Sequence, residues 1–185
     1  IGGSGNDTIH ELDADDAGND TLAGGSGSDS IYGALGNDSL HDSAGTSNTL
    51  LGGAGDDTIL VSAGNNTLFG GAGTDCVLGG SGQDTIIEDD ADGAGNDTIS
   101  GGSGSDWIEA ALGGDSVYDA AGADTIIGGA GNDTISSISS EASPGAAATL
   151  WVGAGLARKG LARATWTPGT VPRNSREFGA LADGR

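Results

Sequence analysis

Residues 2–10 read GGSGNDTIH, an arrangement of three glycines, one acid and one isolated aliphatic residue that recurs along most of the chain. The aliphatic residue holds the eighth position of every nine-residue frame, from Ile9 in the first to Ile135 in the last. The fourteen frames, with one inserted residue near Ser47, begin at residues 2, 15, 24, 33, 42, 52, 61, 70, 79, 92, 101, 110, 119 and 128. A period held over so many frames indicates a repeat architecture.

The sixth position of the frame is acidic almost throughout. Two frames carry an amide there, Asn48 and Asn66. The other twelve carry Asp7, Asp20, Asp29, Asp38, Asp57, Asp75, Asp84, Asp97, Asp106, Asp115, Asp124 and Asp133. A longer period overlies the short one, because residues 2–60 return at 79–136, with an offset of 77 residues before the inserted residue and 76 after it. This regularity indicates a tandem duplication.

The frame predicts a very short strand followed by a tight turn. Neighbouring side chains of a strand point to opposite faces, so one aliphatic residue per frame suits a strand with one inward side chain. Glycine supplies the turn because it tolerates positive φ. Two frames make a coil of about 18 residues, and stacked coils join their aliphatic residues into one core. We therefore expect an all-β protein, a parallel β-roll of about seven coils and roughly 34 Å in length.

The charge distribution limits the possible partners. The formal net charge is −21, 24 of the 27 acidic residues precede residue 137, and all six basic residues follow residue 157. Phosphate binding needs Lys and Arg, so we expect no nucleic-acid partner. No apolar run is long enough for membrane insertion by this segment. Cations are the natural partners of such a surface.

The GGxGxDxUx pattern, with U a large aliphatic residue, resembles the calcium-binding repeat of the RTX (haemolysin-type) proteins, which bacteria export by type I secretion. The resemblance covers residues 2–136 and implies multiple calcium ions and an extracellular or cell-surface location. Calcium also suits the residues themselves, because it takes six to eight oxygen ligands in flexible geometry and the glycine-rich turns leave carbonyl oxygens accessible. We expect the twelve aspartates above to be the metal ligands. His10, His41 and Cys76 form no ligand cluster for zinc or copper.

Units two apart share a side of the roll, so the sixth positions form two columns of neighbouring residues. Like charges about 4.8 Å apart repel by roughly 3.5 kcal/mol at an effective dielectric constant of 20. The core is thin, so we expect the metal-free chain to be largely disordered. Sites next to Asn48 or Asn66 should be weak or absent, which leaves about nine plausible ions among the intervals of the two columns.

The pattern predicts two segments, a calcium-binding roll over residues 1–136 and a linker with a basic tail over 137–185, disordered or part of a following segment. The acidic expansions at 10–16 and 87–92 are interpreted as solvated turns or peripheral cation sites. No catalytic motif is present, so we expect no enzymatic activity of this segment. The start at Ile1, without methionine, leads us to expect further domains of the same parent chain. That parent is a surface or adhesion protein with the roll as structural module, or a secreted enzyme or pore-forming toxin with the roll as its appendage.

Overall fold

A computed structural model describes residues 1–11, 18–89, 95–137, 149–152 and 162–165. The described chain forms two parallel sheets that face each other across one narrow core, and it contains no helix in those ranges. The predicted all-β parallel roll of about seven coils is thereby confirmed. None of the described residues forms a helix that is long and apolar enough to cross a membrane.

The strands alternate between the sheets, as alternate frames require. The first sheet contains Thr8–His10, Ser30–Leu35, Thr49–Ala54, Thr67–Ala72, Thr85–Ile87, Trp107–Glu109 and Thr125–Ile127, and ends with Thr149–Val152 and Ala162–Thr165. The second sheet contains Thr21–Ala23, Ser39–Asp42, Thr58–Val61, Cys76–Leu78, Thr98–Ser100, Ser116–Asp119 and Thr134–Ser137. Two short pairs in the turns join Gly3–Ser4 to Gly25–Ser26 and Leu112–Gly113 to Ala130–Gly131.

The aliphatic residues of the eighth positions stack in register within each sheet. In the first sheet, for example, Ile31 pairs with Leu50 and Leu50 pairs with Leu68. In the second sheet, Ile59 pairs with Val77. These residues have almost no solvent exposure, and they form a single apolar cluster that runs through the roll. Burial of one large aliphatic side chain contributes about 1.5–3 kcal/mol, and the core gains this only when coils stack.

A second inward position follows each aliphatic residue by two. It is the first position of the next turn, and glycine occupies it in most frames. Val61 and Ala110 carry side chains there, and both are buried. The residue between these two inward positions points outward, and Leu60 and Tyr118 are 46% and 45% exposed there. The first turn position therefore lies inside the roll, between the apolar core and the turn.

The second turn position has a left-handed backbone in many of the described turns. Gly3, Gly25 and Gly53 adopt φ values of 117°, 113° and 119° there. Ala34 and Ala111, which replace glycine at the same position in equivalent frames of the duplication, also have positive φ, at 76° and 59°. The turn shape therefore persists without that glycine, at a cost of about 1–2 kcal/mol for each left-handed alanine.

The first sheet continues beyond the last predicted frame. Thr149–Val152 adds to it in parallel, with Leu150 in register with Ile126, and Ala162–Thr165 pairs antiparallel to that strand. The other residues after Ser137 lie outside the described part of the chain, as do residues 12–17 and 90–94 of the two acidic expansions. The boundary at residue 136 stays a prediction.

Candidate metal sites in the turns

The sixth positions of the turns form two hydrogen-bonded ladders, one along each edge of the roll. In each ladder, the backbone N–H of one sixth position donates to Oδ1 of the sixth position in the following coil. Asp38 N–H donates to Asp57 Oδ1 at 2.7 Å, and Asp57 N–H donates to Asp75 Oδ1 at 2.7 Å. The bond recurs at each interval between neighbouring coils in both columns. Stacking thus uses one oxygen of each carboxylate.

The second carboxylate oxygen points into the roll. At many turns Oδ2 is buried and has no hydrogen-bond partner, namely in Asp7, Asp29, Asp38, Asp57, Asp84, Asp106, Asp124 and Asp133. A buried charged oxygen without a partner is costly, and it needs a cation or a proton. No Lys or Arg precedes residue 158, so the roll has no cationic side chain of its own except through its two histidines.

The leading glycine of each turn makes room beside this oxygen. A Cβ placed on Gly2 would lie 2.5 Å from Asp7 Oδ2 and 2.6 Å from the carbonyl oxygen of Gly24 in the next coil. A Cβ on Gly33 would lie 2.5 Å from both Asp38 Oδ2 and the Gly52 carbonyl oxygen. A carboxylate oxygen and a carbonyl oxygen thus approach the glycine so closely that a side chain there would clash with them, and this pair of hard oxygen donors fits calcium.

Burial raises the pKa of several of these carboxyls. The pKa of Asp57 is raised to about 7, first by burial and then by the charges of Asp75 and Asp38. Burial also raises the pKa of Asp106 to about 6, with the charges of Asp84 and Asp124 adding to the shift. In the absence of a metal these turns therefore favour protonated acids. A divalent cation would oppose that shift by stabilising the ionised form.

Asn48 and Asn66 keep the ladder although they lack a carboxylate. Asp29 N–H donates to Asn48 Oδ1 at 2.9 Å, and Asn48 N–H donates to Asn66 Oδ1 at 3.0 Å. The Asn66 amide also donates through Nδ2 to the Gly64 carbonyl oxygen at 3.2 Å and to Asp84 Oδ1 at 3.0 Å. At Asn66 an amide N–H thus occupies the place that a cation would take against these oxygens, which supports the expectation of a weak site there.

The sequence interpretation missed a second set of acids at the inward first position of the turn. Asp42, Glu88 and Asp119 are 2%, 2% and 0% exposed. Asp42 is followed 77 residues later by Asp119, and Glu11 is followed at the same offset by Glu88. Their spacing of two residues after a buried aliphatic residue, repeated at that offset, is the signal that could have found them.

These acids bring additional carboxylates to particular intervals. A Cβ on Gly24 would lie 2.5 Å from Asp42 Oδ2 and 2.6 Å from Asp29 Oδ2, so Asp42 faces the preceding coil. Burial raises the pKa of Asp42, and the proximity of the Asp29 carboxyl contributes. The expectation of a weak site between Asp29 and Asn48 considered only sixth positions, whereas the structure supplies a carboxylate there from Asp42.

Two groups of acids within the described ranges bring three carboxylates together. One group contains Glu11, Asp20 and Asp38, and the other contains Asp106, Asp119 and Asp124. Within each group the ligand atoms lie within 4.8 Å of one another. The former stands at the first coil and is partly exposed, while the latter is fully inside the roll. Burial, followed by the charges of Asp124 and Asp106, raises the pKa of Asp119 to about 8.

The residues considered for other chemistry are not brought into these sites. His10 stacks on Tyr32 with ring centroids 4.1 Å apart, on the outward face of the first sheet. Cys76 is a free, half-buried cysteine at the start of its strand. The twelve aspartates predicted as ligands all lie at turns of the two columns, and their role as ligands stays a prediction.

Comparison with known proteins agrees with this geometry. The model of the family described as the RTX calcium-binding nonapeptide repeat (4 copies) matches residues 1–10, 14–41, 51–86, 91–117 and 111–137. Neither curated proteins nor solved structures gave a significant match to the chain. The matched ranges cover well over half of the sequence and confirm the resemblance found in the repeats. The chain therefore belongs to the RTX calcium-binding nonapeptide repeat family, and its roll is a calcium-binding module that takes multiple ions.

Proposed function

We propose that this chain is a secreted module that folds when it binds calcium outside the cell, and that it serves as a structural and export-assisting part of a larger surface or adhesion protein. Its role is binding and calcium-dependent folding rather than catalysis. The supporting observation is the row of buried, unpartnered Oδ2 atoms, at turns such as those of Asp57 and Asp84, in a roll without Lys or Arg.

The proposed ligands are the twelve sixth-position aspartates together with carbonyl oxygens of the glycine-rich turns. Each Asp would use Oδ1 for the ladder between coils and Oδ2 for the cation. Because the same carboxylate would serve both purposes, ion binding and the stacking of coils depend on each other. Where the sixth residue is Asn66, the hydrogen bond between coils is kept. The side-chain amide of Asn66 then donates to a carbonyl oxygen of the turn, without a cation.

Calcium concentration supplies the proposed switch. Extracellular calcium modules bind with dissociation constants of about 10⁻⁴–10⁻³ M, so such sites are nearly empty in the cytosol and filled outside the cell. At ten times its dissociation constant, each ion stabilises the folded state by about 1.4 kcal/mol. Several such ions act on one cooperative roll, and a chain kept unfolded before export would fold after it.

The test is a calcium titration of the full chain, followed by circular dichroism and by the radius of gyration from small-angle scattering. We expect an expanded chain without strand signal in chelator and a compact rod with strand signal in millimolar calcium. Magnesium is the control, and it should be much less effective because it prefers strict octahedral geometry and retains its waters. Equal strand signal in chelator and in calcium would contradict the proposal.

A further inference from the structure

One interval of the roll has more carboxylates than the repeat pattern provides. An ordinary interval lies between two sixth-position residues of neighbouring coils. The interval between Asp106 and Asp124 also contains Asp119, which occupies the first turn position in place of glycine. Asp119 belongs to none of the sixth positions, so the repeat pattern assigns it no role.

All three carboxylates are enclosed by the roll. Asp106, Asp119 and Asp124 are 3%, 0% and 1% exposed, and Oδ2 of each is buried without a hydrogen-bond partner. Oδ1 of Asp119 accepts a hydrogen bond from Ala120 N–H at 2.9 Å, and a carboxylate oxygen of Asp119 lies within 4.8 Å of one from each of the other two acids. Asp119 is thus a fully buried carboxylate whose Oδ2 has no hydrogen-bond partner and which lies within a cluster of carboxylate oxygens.

The preceding coil provides space for this side chain. A Cβ on Gly101 would lie 2.7 Å from Asp106 Oδ2 and 3.0 Å from Asp119 Oδ1. The Asp119 side chain therefore occupies space that is free only because Gly101, one coil earlier, has no side chain. Any larger residue at Gly101 would push the Asp119 carboxylate away from Asp106.

The duplicated half of the chain contains the same arrangement with one carboxylate fewer. Asp29 and Asp42 correspond to Asp106 and Asp119 at the offset of 77 residues, and their Oδ2 atoms meet beside Gly24 in the same way. The third member is Asn48 in place of Asp124. The two clusters thus form a matched pair that differs in one charged ligand.

We propose that Asp106, Asp119 and Asp124 form a dedicated cation site that binds one calcium ion more tightly than the ordinary intervals do. Calcium affinity rises with the number of charged ligands, and the enclosed position reduces competition from water. The first ion to bind therefore orders the coils on either side of Asp119, and the remaining ions add to this ordered segment. This inference deepens the proposed function and rests on it.

The test measures calcium binding to the full chain by competition with a chromophoric chelator, alongside circular dichroism. We expect one ion with a dissociation constant about tenfold or more below that of the others. Asp119→Asn and Asp119→Gly should both abolish this tight phase while the later ions and the strand signal in millimolar calcium remain. The glycine variant restores the ordinary residue of the first turn position, so it suits the turn.

Asp42→Asn is the matched control, because it removes the equivalent acid from the cluster that has Asn48, and it should leave the tight phase unchanged. Asn48→Asp completes the second cluster and should create a second tight ion. A wild-type chain with equal sites, or a tight phase that survives both changes at Asp119, would overturn this inference while calcium-dependent folding stands. Absence of any calcium-dependent strand signal in the wild type would overturn the proposed function itself.

Discussion

The two ladders differ most at the middle of the roll. On one edge Asp38, Asp57 and Asp75 stack directly, while on the other edge Asn48 and Asn66 stand at the same height. The hydrogen bond from backbone N–H to Oδ1 is the same on both edges, with donor–acceptor distances between 2.7 and 3.0 Å. Stacking therefore does not distinguish Asp from Asn.

The difference lies in the atom that points inward. In Asp57 it is an oxygen without a hydrogen-bond donor, whereas in Asn66 it is an N–H₂ group that donates to a turn carbonyl and to Asp84. At this height the Asp57 turn needs an external cation, whereas the Asn66 turn on the other edge supplies its own donors. The roll thus combines turns that respond to calcium with turns that are closed without it.

The largest expected effect comes from Asp57→Ala, which removes a ladder acceptor and a proposed ligand of two intervals. At calcium ten times above the dissociation constant we expect a loss of about 3–4 kcal/mol in the free energy of unfolding, from two ions and one hydrogen bond. Calcium stoichiometry should fall by about two ions. Asn66→Ala is the control and should cost about 1–2 kcal/mol with no ion lost. Equal ion losses in the two variants would contradict the difference between the edges.

The pH dependence without calcium should be set by buried aspartates of the two columns. Asp57 and Asp106 have pKa values raised to about 7 and about 6 in the folded chain, against 3.8 ordinarily. A raised pKa in the folded state means that its contribution to stability is complete below about pH 4 and is lost as the pH rises through 6 to 7.

Strand content in calcium-depleted buffer should therefore be higher at pH 5 than at pH 8. The slope of the free energy of unfolding is at most about 1.4 kcal/mol for each pH unit and each proton. Asp57→Asn should reduce this slope, and Asn66→Ala should leave it unchanged. Circular dichroism of the calcium-depleted chain at a series of pH values measures both, and a slope of opposite sign would exclude protonation as the substitute for calcium.

Asn66→Asp should convert a turn that is held by amide hydrogen bonds into a turn that binds calcium. The new carboxylate keeps the ladder oxygen but loses the N–H₂ group, and it faces Asp84 one coil away. We expect about one additional calcium ion and a gain of about 1.4 kcal/mol at ten times its dissociation constant. An unchanged stoichiometry would show that the amide is not what excludes the ion.

Much of the fold follows from the sequence because its signal is periodic. The isolated aliphatic residue at the eighth position of each nine-residue frame predicted both sheets, and pairs such as Ile31 with Leu50 confirm the register. The calcium cofactor followed from the same frames, since Asp and Gly recur with fixed spacing. Family resemblance and physical reasoning led to the same roll.

The inward acids were not predicted, because their importance depends on depth inside the roll. Asp42 and Asp119 look like substitutions of a turn glycine in the sequence, and only stacking shows that they face Asp29 and Asp106. The ladder was missed for a related reason. A column of like charges suggests repulsion, whereas Oδ1 of each member is held by a backbone N–H of the preceding coil, as in Asp57.

The smallest expected effect concerns the backbone of the edge on which Asp38, Asp57 and Asp75 stack. Ala34 has a φ of 76° at a turn position where the equivalent Gly53 has 119°. Ala34→Gly should stabilise the roll by about 0.5 kcal/mol, because relief of the left-handed alanine, about 1–2 kcal/mol, exceeds the added entropy of the unfolded chain. Ala72→Gly, one position later in another turn and without positive φ, should instead destabilise it by about 0.5–1 kcal/mol. Calcium-saturated urea unfolding compares the two, and the same sign for both would mean that turn strain plays no part at this edge.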